Sequence, residues 1–105
     1  MDDKILKMEM DVISAIKTVY DPEIPVNVYD LGLIYEVDVS AEGNVNIVMT
    51  LTSPNCPVAE SLPAEVKETV ADLPGITNVE VNMTFDPPWD RDMLSDEALL
   101  ELGLL

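Results

Sequence analysis

With one cysteine and no histidine in the chain, chemistry beyond simple hydrogen bonding has to run through Cys56, carboxylates, hydroxyls or the backbone. Cys56 stands in the stretch Thr50-Leu51-Thr52-Ser53-Pro54-Asn55-Cys56-Pro57, where a strand-like run gives way to a helical one. Pro57 suits a first helical position, where a fixed φ is welcome and a missing N–H costs nothing. At such a helix entrance the sulfur faces unpaired backbone N–H groups and the positive end of the helix dipole. Both favour the thiolate, the form that attacks electrophiles and binds soft metals. A lone cysteine also serves as a small, buried core hydrophobe, and position alone allows either role.

The candidate bases for Cys56 are Asp21 and Glu23 in Asp21-Pro22-Glu23-Ile24-Pro25, and Glu60 just past the cysteine. A carboxylate beside Cys56 could serve as its base, but it would also raise the thiol pKa while the helix end lowers it. Glycine-rich phosphate loops, metal-spaced Cys or His clusters and Ser-His-Asp or Cys-His sets are all missing. The 21 Asp and Glu against 5 Lys and Arg give a net charge of −16. That charge repels phosphate backbones and anionic headgroups, which argues against nucleic-acid and membrane partners and also keeps a small protein soluble. A single cysteine excludes an intramolecular disulfide and suits a reducing cytoplasm. The start Met1-Asp2-Asp3-Lys4 lacks an export pattern, and no apolar run is long enough to span a bilayer.

These residues need a frame, and periodicity supplies one within a single domain, residues 1–105. Ile5, Leu6, Met10, Val12, Ile13, Ile16, Val19 and Tyr20 recur at helical spacing, predicting a first helix from about Asp3 to Tyr20, ended by Pro22 and Pro25. The connection from Asp21 to Gly32 threads Ile24, Val26, Val28 and Leu31 between its acids. Leu33–Ser40 alternates, with Leu33, Tyr35, Val37 and Val39 on one side and Ile34 on the other with Glu36, Asp38 and Ser40. Ala41-Glu42-Gly43-Asn44 turns the chain into a second strand, Asn44 to about Thr52, which completes a hairpin. A second helix should run from Pro57 to Asp72, with Pro63 forcing a kink or break near Ala59. Val79, Val81, Met83 and Phe85 mark a third strand. Ser95 reads as the N-cap of a last short helix ending near Leu102, with Leu94 placed to staple against Leu99 and Trp89 reading as a core plug. The fold class is α+β: a small three-stranded sheet covered on one face by helices, in the order α-β-β-α-β plus a short C-terminal helix.

Three ordered motifs carry a resemblance over essentially the whole chain. They are Asp21-Pro22-Glu23-Ile24-Pro25 with Tyr29-Asp30-Leu31-Gly32-Leu33-Ile34-Tyr35, then Thr50 to Pro57, then Asp86-Pro87-Pro88-Trp89 through Met93 and Ser95. Together they resemble the SufT- and PaaD-like family of small iron-sulfur cluster assembly domains. The resemblance implies an accessory role in maturing iron-sulfur proteins, without enzymatic turnover. It also implies a site that gathers Asp21, Glu23, Thr50, Thr52 and Cys56, with Asp30 nearby. The PaaD-like branch, accessory to a multicomponent aromatic-ring oxygenase, carries an extra cysteine-rich C-terminal part that this chain lacks, which favours the stand-alone SufT-like branch. The implied partners are the iron-sulfur assembly machinery and client apoproteins. Clusters are normally held by about four thiolates; one chain offers one, and a homodimer would offer two. The expectation is therefore no stably bound cofactor, with Cys56 a transient ligand for iron or a cluster, or a client-contacting thiol. Two other readings compete: thiol catalysis at Cys56, and an interaction module whose acidic face and Trp89 region bind a protein while Cys56 is incidental.

Overall fold

A computed structural model describes residues 3–21, 25–51 and 61–103. Helix α1 (Asp3–Ile16) buries Met8, Val12 and Ile16, one residue per turn, while Asp3 in its first turn complements the helix dipole. The helix stops earlier than its apolar period suggested. Val19 and Tyr20 lie beyond it: Val19 N–H closes a last turn on Ile16 O, Val28 N–H donates to Val19 O at 2.8 Å, and Tyr20 bridges Asn27. Beyond Ile16, apolar spacing serves a local bridge as well as it would serve another helical turn. Lys17, just past the helix, lies over the Tyr29 ring at 5.2 Å from its centroid.

Strands β1 (Ile34–Val39) and β2 (Asn44–Met49) pair antiparallel, and β2 pairs parallel with β3 (Asn78–Met83), giving the sheet order β1-β2-β3. A parallel neighbour requires a crossover, and helix α2 (Ser61–Ala71) provides it, burying Leu62, Val66 and Val70. Pro63 lies in the first described turn of α2, where a proline is tolerated; the kink expected near Ala59 lies outside the described residues. Helices α1 and α2 contact each other, and they pack against β1 and β3 respectively. Val45, Ile47 and Met49 are buried beneath them. On the other face Asn82 Nδ2 donates to Asn46 Oδ1 at 2.7 Å, and Glu36, Asp38 and Glu80 are exposed.

The β1 register corrects the simple alternation. Ile34 pairs with Met49 and Glu36 with Val48, so Tyr35 is an extra, bulged residue. Ile34 thereby joins Val37 and Val39 against the core instead of siding with Glu36 and Asp38. At the hairpin, Gly43 has φ +86°, and a Cβ there would collide with Gly75 O. Thr77 N–H donates to Gly43 O at 2.8 Å, tying the hairpin to the loop before β3. The chain ends in a 3-10 turn (Arg91–Met93) and helix α3 (Asp96–Glu101), capped by Ser95 as its sequence predicts.

Candidate functional site

Backbone hydrogen bonds set the roots of the two loops that carry the candidate residues. Val28 donates to Val19 O at 2.8 Å, Leu33 to Val28 O at 3.1 Å, and Thr50 to Leu33 O at 2.8 Å. The segment before the acidic loop is thus joined, step by step, to the residue that follows β2. Asp21 N–H donates to Val26 O at 3.3 Å, and Val26, Val28, Leu31 and Leu33 are buried. Leu51 and Leu62, on either side of the segment that holds Cys56, are both buried. The apolar residues threaded through the acidic connection are what anchor it.

Of the six candidate residues, Asp21, Asp30 and Thr50 are described. Glu23, Thr52 and Cys56 lie outside the described residues. Asp21 is buried at the root of its loop. Thr50 is fully buried, and its hydroxyl lies 3.5 Å from Leu51 O, a marginal hydrogen bond.

Asp30 is buried and engaged on both carboxylate oxygens: Asn27 Nδ2 donates to Oδ2 at 2.7 Å and Ser95 Oγ to Oδ1 at 3.1 Å. Its own N–H donates to Asn27 Oδ1 at 2.9 Å, an Asx-type turn, and its carbonyl accepts from Ser95 N–H at 2.9 Å. Ser95 in turn accepts from Ala98 N–H at 3.1 Å, so the residue that starts α3 also ties it to the loop. Neighbouring contacts extend this seam. Trp89 Nε1 donates to Leu31 O at 2.6 Å, and Tyr35 Oη donates to Pro87 O at 2.8 Å. Gly32, at φ +83°, lies so close to Met93 that a Cβ would meet Met93 O. The first and third sequence motifs are therefore two halves of one interlocked structure. Trp89 does plug into the core's margin, with its indole N–H satisfied.

Between the loop and α3 lies a cleft of about 370 Å³. Its floor includes the buried Val26 and Ala98, Tyr20 and Leu100 line it although both are largely exposed, and Glu97 and Glu101 add carboxylates. Sequence reasoning did not single out this surface; its one signal was the pair of glutamates four residues apart on α3.

Among the described residues, no three of His, Cys, Asp and Glu cluster so as to hold a metal ion. Every buried side-chain nitrogen or oxygen among them has a partner. No described helix is long and apolar enough to cross a membrane.

Residues 9–83 match the family described as iron-sulfur cluster assembly protein. The chain is 52% identical, over the full length of both proteins, to an Fe-S protein maturation auxiliary factor of Porphyromonas gingivalis. It is 42% identical to the Fe-S protein maturation auxiliary factor SufT of Staphylococcus aureus, over 82% of this chain and 98% of that one. The crystal structure of a domain of unknown function from Bacillus anthracis superposes with a TM-score of 0.90 at 32% identity, covering 98% of each chain.

Proposed function

The chain belongs to the iron-sulfur cluster assembly protein family, and from that premise we propose how an accessory factor in iron-sulfur protein maturation uses the surfaces described above. The accessory role follows the SufT-like relatives. Cys56 supplies a transient sulfur ligand or a client-contacting thiol, with Asp21, Glu23, Thr50 and Thr52 forming its surroundings. The cluster is cargo: one thiolate per chain falls short of the about four that hold a cluster durably. The protein works as an adaptor without turnover, in the reducing cytoplasm, between the assembly machinery and client apoproteins. A second copy of the chain could lend a second thiol.

The observation that supports this reading is the hydrogen-bonded frame from Val19 through Val28 and Leu33 to Thr50. A hydrogen-bonded base joining the described residues that flank the candidate positions is what a site needs if its ligands are to be offered in a fixed relation.

The test is Cys56→Ser in a strain lacking the native gene. Iron-sulfur dehydratase activity should fall to the level of the deletion strain, while the purified variant keeps the wild-type melting temperature. A variant that matures clients normally, or one that fails only because it unfolds, would end the proposal and return Cys56 to the core.

A further inference from the structure

We propose that the cleft between Tyr20, residues 25–30 and α3 binds a basic segment of a partner protein, seating a lysine or arginine side chain between Tyr20 and Leu100. This rests on the assembly-factor reading for its biological setting, but not for its chemistry. Tyr20 and Leu100 are large apolar groups, 57% and 62% exposed. They stand over a floor of Val26 and Ala98 that is already buried.

Asp96 and Glu97 suit the first turn of α3, but Glu101 is poorly placed for the helix alone. Glu97 and Glu101 are four residues apart, a spacing at which like charges destabilise a helix. Glu101 also ends α3, where the dipole disfavours an anion, and the last turn holds no basic residue. A cation arriving from outside relieves both repulsions. A lysine or arginine does so while laying its aliphatic stem on apolar surface, and an arginine can stack on the tyrosine ring as well. The volume of about 370 Å³ sits near the small end of ligand pockets, so the guest is a short segment and not a folded lobe. Net charge narrows the choice further. At −16 the protein repels nucleic acid, and a second copy of the chain brings the same charge to the encounter.

The probe is an acetylated, amidated Leu-Arg-Leu-Arg-Gly peptide, titrated at low salt into the isotopically labelled full chain. Amide shifts should concentrate at Tyr20, Asn27, Ala98 and Leu100. Glu97→Gln with Glu101→Gln should weaken binding about fivefold or more, and Leu100→Ala should weaken it too. Asp38→Asn with Glu80→Gln, which removes the same charge from the open sheet face, should leave affinity near wild type. Shifts spread over the whole acidic surface, equal weakening by the two double variants, or unchanged affinity in the cleft variants would each overturn the proposal. Cys56→Ser should bind the peptide normally, so peptide affinity reports on the cleft and client maturation reports on the thiol.

Discussion

Replacing Asp30 by alanine separates a structural from a ligand role at a residue that the family resemblance places near the site. The side chain is only 8% exposed, with its two carboxylate oxygens accepting at 2.7 and 3.1 Å. A hydrogen bond to a charged group contributes about 1.5–3 kcal/mol. Asn27 and Ser95 are only half-buried and recover part of that loss by turning to water, so the two bonds together should be worth about 2–4 kcal/mol. Ser95 keeps its capping bond to Ala98 but loses its tether, so α3 should loosen from the loop first. For a domain of this size total stability is roughly 5–15 kcal/mol, and each kcal/mol moves the midpoint by about 4–8 °C. Asp30→Ala should therefore lower the melting temperature by about 8–30 °C, and urea unfolding should show the same loss at an unchanged slope. Asp30→Asn should fall between it and wild type, since an amide retains one acceptor but sets an N–H₂ among donors. A variant within about 0.5 kcal/mol of wild type that nevertheless lost client maturation would refute this reasoning and make Asp30 a ligand.

Gly43→Ala combines a left-handed backbone with a collision against Gly75 O. It should cost about 2–4 kcal/mol, read by urea denaturation; a loss under about 1 kcal/mol would mean that the hairpin and the loop before β3 separate freely. Anaerobic reconstitution with iron and sulfide should leave the purified monomer without a cluster that survives a chelator. A full complement of iron and sulfide retained after desalting against chelator would contradict the cargo reading.

The sequence made the elements legible where one face was apolar and the other polar, as in α1, β2 and α2. It misled where apolar residues ran consecutively. Leu33, Ile34 and Tyr35 carry no parity signal, so the bulge that turns Ile34 inward could not be read from alternation. Val19 and Tyr20 continue the spacing of α1, yet a backbone bridge to residues 27 and 28 takes them, and period alone does not distinguish the two. Around the candidate site, residue types pointed to Asp30 and separately to Ser95 as a cap. Their contact joins positions 65 apart, and no local pattern encodes it.

That contact bears on what the segment after β3 does. The family match ends at residue 83, and the chain from Pro87 to Ser95 folds back onto the first motif. Ser95 takes hold of Asp30, the Trp89 indole of the Leu31 carbonyl, Met93 of Gly32, and Pro87 of Tyr35. Leu33 lies inside this stretch, and its carbonyl holds Thr50 N–H at the root of the cysteine loop. The tail therefore braces the entrance to β1, in addition to the helices' grip on the core. The bulge at Tyr35 keeps Ile34 on the same face as Val37 and Val39, and beside it the Tyr35 hydroxyl ties β1 to the tail through Pro87 O.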